Sequence, residues 1–105
     1  MRYKENEHYR EIELFNDDGV KVGEAEVDTK GRMLSRLTIF EPYRHKGYGK
    51  RVVKDLTGMY DLNILWVNAD NLIAIHTYER CGYVKREPTM YKMVRGSSNE
   101  YRYDY

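Results

Sequence analysis

The stretch from Leu34 to Val67 restricts the possible folds more than any other part of the chain. Met33 to Phe40 (MLSRLTIF) is apolar and β-branched enough to be a central strand. Gly47 to Thr57 reads as a helix, with Val52, Val53, Leu56 and Met59 at helical spacing and Gly58 as its stop. Leu62 to Val67 (LNILWV) follows as a short buried strand. A strand, a helix and a second strand in one sheet take a right-handed parallel crossover. The fold is therefore built around a parallel pair.

The flanking elements are of another kind. His8 to Phe15 places Tyr9, Ile12 and Leu14 among charges, as a half-buried strand does. Asn16-Asp17-Asp18-Gly19 is a turn, and Val20 to Val27 alternates as the returning arm of a hairpin. Thr29 to Arg32 is the next turn. Asn71 caps a second helix, Leu72 to Arg80, whose inner face takes Ala74, Ile75 and Tyr78; Cys81-Gly82 ends it. Tyr83 to Arg86 and Met90 to Val94 are two last strands joined around Pro88. The predicted order is β-β-β-α-β-α-β-β, an α/β chain with a mixed sheet. Residues 1–95 form one domain, and 96–105 (GSSNEYRYDY), with little aliphatic content, form a mobile tail.

Charge and cysteine content exclude several classes. The net charge is +1, no general attractor for nucleic acid or an anionic membrane. The basic run from Arg44 to Lys54 leaves a nucleic-acid-binding domain as a disfavoured third hypothesis. Cys81 is the single cysteine, so no intrachain disulfide forms, which suits a reducing compartment. No apolar run approaches a membrane span, and MRYKENEHYR has no signal-peptide core. The expected location is cytoplasmic. No metal site is assigned.

The junction between the third strand and the first helix reads Pro42-Tyr43-Arg44-His45-Lys46-Gly47-Tyr48-Gly49-Lys50. A helix start presents unpaired N–H groups and the positive end of the dipole, which suit a phosphate or pyrophosphate. Glycines let such a ligand approach the backbone, and Arg and Lys add charge. The third glycine of a dinucleotide fingerprint is absent, and so is GxxxxGK[ST].

Arg44-x-x-Gly47-x-Gly49 resembles the Q/R-x-x-G-x-G/A motif of the GNAT acetyltransferase superfamily. Asn71-x-x-Ala74-Ile75-x-x-Tyr78-Glu79-x-x-Gly82-Tyr83 is similar to that family's N-x-x-A-I-x-x-Y-E-x-x-G-F, with every spacing kept. The resemblance covers roughly Val20 to Val94. It implies a GNAT-like core that binds acetyl-CoA in a V-shaped opening between the two parallel strands. Leu37, Thr38 and Ile39 would line the pantetheine, paired through the backbone of Leu37 and Ile39. Arg44, His45, Lys46, Gly47, Tyr48, Gly49 and Lys50 would hold the pyrophosphate. Asn71 would contact the cofactor as well as cap its helix.

The resemblance assigns catalysis to Tyr78, as the acid that protonates the departing thiolate; its plain alternative is a core tyrosine. A phenol with a pKa of about 10 holds its proton at neutral pH. A backbone N–H near Ile39 would polarise the oxyanion. No base is assigned: the start of the third strand offers no carboxylate, leaving Glu24, Glu26, Asp28 or Glu41 through water, or His45 and His76. Trp66 reads as core and Cys81 as buried filler.

Family members usually carry a strand and two helices before the hairpin, and this sequence is expected to lack all three. The acceptor groove would then be open, suiting a protein lysine, an N-terminus or a polyamine, or would be completed by a partner or second copy. The expected activity is N-acetyl transfer from acetyl-CoA to a primary amine, with a non-catalytic CoA-binding or interaction module as the alternative. The mostly acidic stretch from Glu5 to Asp28 is a weak attraction for a cationic acceptor.

Overall fold

Ile12 and Leu14 alternate with Glu11 and Glu13, and that period of two builds strand β2 (Glu11–Phe15) with one buried and one wet face. A computed structural model describes residues 1–6, 10–68, 70–85 and 90–95. In it β2 pairs antiparallel with β3 (Lys21–Asp28) through the turn at 16–19, where Asn16 Oδ1 accepts the N–H groups of Asp18 and Val20. Strand β4 (Met33–Ile39) pairs antiparallel with β3. A 3-10 turn (Glu41–Tyr43) leads to helix α1 (Tyr48–Tyr60). Strand β5 (Ile64–Asn68) returns parallel to β4. Helix α2 (Leu72–Arg80) and strands β6 (Tyr83–Lys85) and β7 (Met90–Arg95) complete the described elements.

Among the described residues the sheet has seven strands in the order β1-β2-β3-β4-β5-β7-β6. The mixed α/β sheet and its central parallel crossover are as the sequence implies. The order differs in one respect: a first strand, β1 (Arg2–Asn6), pairs antiparallel with β2. Its pattern of single apolar residues among charges carries no clear strand signal. It is held by side chains instead. Tyr3 donates to Asp55 of α1, and Tyr60 at the end of α1 donates to Glu5. The leading strand, expected to be absent, is thus present. The four residues between Asn6 and Glu11 are too few for two helices.

Helix α1 buries Val52, Val53 and Leu56 against Ile12, Leu14, Val22, Ala25, Val27 and Leu34 of the sheet. Each such side chain contributes about 1.5–3 kcal/mol. Gly58 does not stop α1; the helix runs on to Tyr60 and ends at Asp61, in left-handed conformation at φ 52°. Met59 lies on the exposed side rather than the core side. A buried hydrogen bond of 2.9 Å between Thr57 and Tyr83 ties α1 to β6.

Cross-strand register puts Lys4, Glu13, Glu24 and Thr38 in one row on the sheet face away from α1. Trp66 points to that same face and is 46% exposed, contrary to the core position expected for it. Neighbouring Leu65 and Val67 occupy the buried face in its place. Tyr9, Pro88 and the tail from 96 to 105 lie outside the described residues.

Candidate active site

Strands β4 and β5 run parallel but pair only at Met33–Ile64 and Leu34–Leu65. Beyond that point β4 stays paired with β3 through Ile39, and β5 stays paired with β7 through Asn68. The two central strands therefore part toward their C-terminal ends, with an opening between them. A bulge marks the parting. The β3–β4 register shifts between Glu26 and Val27, so Ser35 has no partner and β4 bends there.

Antiparallel alternation decides which backbone groups face the opening. Phe40 N–H donates to Val22 O at 2.9 Å, so Phe40, and Thr38 two residues before it, turn their backbone groups to β3. Leu37 and Ile39 turn theirs the other way, into the gap. Arg44 Nε donates to the Ile39 carbonyl at 2.8 Å, so that carbonyl points into the gap. Gly23 permits this geometry: a Cβ there would run into the Thr38 carbonyl oxygen.

The loop after β4 turns through two left-handed residues, His45 at φ 63° and Gly47 at φ 82°. Gly47 is the N-cap of α1 and no side chain caps that end. The first-turn N–H groups from Tyr48 to Lys50 thus remain available to a ligand. A Cβ built on Gly47 or Gly49 meets nothing within 4 Å, so space lies over this backbone. Arg44, His45, Lys46 and Lys50 are exposed, while Tyr48 and Gly49 are half-buried.

Asn71 caps α2, its side chain accepting the Ala74 N–H at 3.2 Å. Tyr78 packs against the core cluster, and its hydroxyl has no hydrogen-bond partner among the described residues. Burial pushes the Tyr78 phenol above its usual range, and neighbouring Cys81 adds to the shift. Cys81 is half-buried; its thiol contacts the Lys50 carbonyl at 3.6 Å and its pKa is raised by burial. It bridges α2 and the first turn of α1.

Three of the four carboxylates considered as bases are engaged, while Glu41 is exposed with no side-chain partner among the described residues. Glu24 pairs with Lys21 at 3.3 Å and Glu26 with Arg36 at 3.7 Å; Asp28 accepts the Gly31 N–H. His76 is exposed and lies 3.6 Å from Glu79. Glu5 is paired with Arg10, and Glu13 shares Lys21 with Glu24. Among the described residues no three His, Cys, Asp or Glu side chains gather as a metal site.

Three features here are not visible as motifs: the bulge at Ser35, the Arg44–Ile39 contact, and a cavity of about 330 Å³ beside the start of α1, where Arg51 and Lys46 meet the turn at 16–18. The turn was legible, but its approach to the loop depends on β3 and β4 pairing in this register.

The model of the family described as "Acetyltransferase (GNAT) domain" matches residues 1–94. No curated protein matches the chain by sequence. Solved structures share its fold. A chimera of the Vibrio cholerae spermidine N-acetyltransferase SpeG with hSSAT superposes with TM-score 0.66 at 16% identity, covering 86% of this chain and 70% of the other. The Vibrio cholerae spermidine N-acetyltransferase in complex with CoA and spermine gives TM-score 0.65 at 17% identity, covering 84% and 65%. Apo YjaB from Escherichia coli gives 0.68 at 18%, covering 87% and 67%. The chain thus spans about two thirds of the length of these structures.

Proposed function

Because the chain belongs to the GNAT acetyltransferase family, whose acyl donor is acetyl-CoA, we propose that it transfers the acetyl group to a primary amine. The observation that carries this is the edge of β4 that β5 leaves, where the Leu37 and Ile39 backbone faces the gap, the Ile39 carbonyl holds Arg44, and the edge ends at the uncapped start of α1. A linear amide-bearing chain with a pyrophosphate at one end complements that edge. Leu37 and Ile39 would hold the pantetheine, with Thr38 lining the same strand. Residues 44–50 would hold the pyrophosphate, and Asn71 would lie against the cofactor from the start of α2.

Acetyl-CoA supplies a thioester whose carbonyl carbon an amine attacks as the C–S bond breaks. Tyr78 then donates its phenolic proton to the departing sulfur. Its raised pKa keeps the hydroxyl protonated at neutral pH, and its lack of a partner among the described residues supports its freedom to donate. The proton lost by the amine passes to water and replaces the one Tyr78 gave. Glu24 and Glu26 stand on β3, one strand away from the gap, so they would assist only through water.

The acceptor is a lysine side chain or N-terminus of a protein, or a polyamine. The spermidine acetyltransferases of the same fold support the polyamine, and a link between β1 and β2 too short for two helices supports a protein acceptor. A second copy completing that groove is a further part of the proposal, as is a cytoplasmic site of action. The test is thiol release from acetyl-CoA with spermidine and with a lysine peptide. Release above background with either amine supports transfer. CoA binding without transfer to any amine would favour a CoA-binding module instead.

A further inference from the structure

The single tryptophan of the chain takes no part in the chemistry above. Its place follows from register. Strands β4 and β5 pair last at Leu34–Leu65, so Trp66 is the first β5 residue beyond that pair, at the margin of the opening. Leu65 and Val67 on either side of it are 1% and 7% exposed and face the core. The indole therefore leaves the sheet on the other face, where it is 46% exposed. Both helices lie on the core face. The β4–α1–β5 and β5–α2–β6 connections join parallel strands and step the same way along the sheet, so right-handed crossovers put α1 and α2 on one side. The uncapped start of α1 and Asn71 at the start of α2 belong to that side. Among the described residues no helix covers the face that carries Trp66.

With a coenzyme held from the helix side, the bare face is the side left for the acceptor. An amine arrives as a cation, which carboxylates and the π-face of an aromatic ring both attract. The carboxylates that β3 places on this face are engaged: Glu24 with Lys21, Glu26 with Arg36 and Asp28 with the Gly31 N–H. The Trp66 ring is not. Among the described residues the one cation over a ring is Arg2, above Phe15. The indole N–H likewise has no acceptor among the described residues. Tryptophan is the strongest side chain for a cation–π contact, and its N–H can only donate. A free ring face beside an N–H that needs a carbonyl complements a lysine within a peptide. The methylene stem lies on the ring, the amine reaches the opening, and a peptide carbonyl accepts from the indole. A protonated polyamine brings no hydrogen-bond acceptor, and its second ammonium finds the β3 carboxylates taken.

We propose that Trp66 is the acceptor platform: it holds the lysine side chain of a peptide on the bare face of the sheet, amine toward the opening, and so selects lysine peptides over polyamines. The proposal rests on the acetyl-transfer reading above. Its test measures thiol release from saturating acetyl-CoA by the full chain, with spermidine and with an end-blocked alanine–glycine peptide carrying one lysine. Wild type should show the higher kcat/KM for the peptide. Trp66→Ala should raise the peptide KM about tenfold, and Trp66→Phe, which keeps a ring face, about threefold, with kcat unchanged. The KM for spermidine should not move. Peptide binding in the presence of CoA should change the protein's tryptophan fluorescence, which comes from Trp66 alone.

Transfer to spermidine but not to the peptide would overturn the proposal and leave acetyl transfer standing. An unchanged peptide KM in Trp66→Ala would overturn it too. So would a KM that rises equally for both amines, because Trp66 would then be structural. If Trp66→Ala does not fold, Trp66→Phe and the wild-type fluorescence decide, and a peptide that is acetylated without altering the emission would overturn the platform. Transfer to neither amine would remove the acetyl-transfer reading itself, and this proposal with it.

Discussion

Two tyrosines near the second helix should respond to loss of a hydroxyl in opposite ways. Tyr78→Phe keeps the ring that packs against the core and removes an oxygen with no protein partner among the described residues. No orphaned group is left, so the stability change should stay within about 0.5 kcal/mol. Turnover should fall by about 10²- to 10⁴-fold, the usual contribution of a positioned acid, with CoA affinity unchanged. Tyr83→Phe does the reverse. Tyr83 is 1% exposed and shares a 2.9 Å hydrogen bond with Thr57, itself 8% exposed. Removing it strands the Thr57 hydroxyl at about 1–3 kcal/mol, and each kcal/mol lowers the Tm of a domain this size by about 4–8 °C. The folded Tyr83→Phe protein should turn over normally. The assays are thiol release under saturating acetyl-CoA and thermal unfolding by circular dichroism. The wild-type pH profile adds a third readout. Burial raises the Tyr78 pKa, so an acid role predicts full protonation at neutral pH and loss of rate only above pH about 10. Wild-type turnover in Tyr78→Phe would refute the acid assignment. A slow but fully stable Tyr83→Phe would show that the two roles had been exchanged.

Arg44→Ala combined with Gly49→Glu should abolish CoA binding, since a carboxylate over the first turn of α1 repels phosphate; retained affinity by calorimetry would remove the loop from the site. Gly23→Ala should destabilise by about 1–3 kcal/mol in urea unfolding, because its Cβ would run into the Thr38–Ile39 backbone; an unchanged midpoint would contradict the close β3–β4 approach. Tyr60 is pushed up to about 12 by burial and its bond to Glu5. Its folded pKa exceeds the unfolded value, so this stability is whole below pH about 10 and lost as pH rises toward 12. Tyr60→Phe should flatten that alkaline decline in unfolding midpoints measured from pH 9 to 12.

Local chemistry alone determined much of this protein. The apolar runs of β4 and β5 with a helix between them specify a parallel crossover, and Asn71 and Cys81-Gly82 bound α2 as read. The glycines at 47 and 49 mark an open helix start, and φ 82° at Gly47 is the conformation glycine admits most readily. These features depend on a few neighbouring residues, so periodicity and turn chemistry reveal them. Tertiary structure decided the rest. Strand β1 is too polar to announce itself and is held by Tyr3 and Tyr60, whose partners Asp55 and Glu5 lie more than fifty positions away in the chain. Trp66 is exposed because register, not hydrophobicity, assigns Leu65 and Val67 to the core. The opening itself exists because β4 and β5 stop pairing after Leu34 and Leu65, where Ser35 bulges. Spacing within one strand carries no information about where its partner leaves it. The motif could therefore point to a coenzyme, but only the paired sheet shows which backbone groups face the opening.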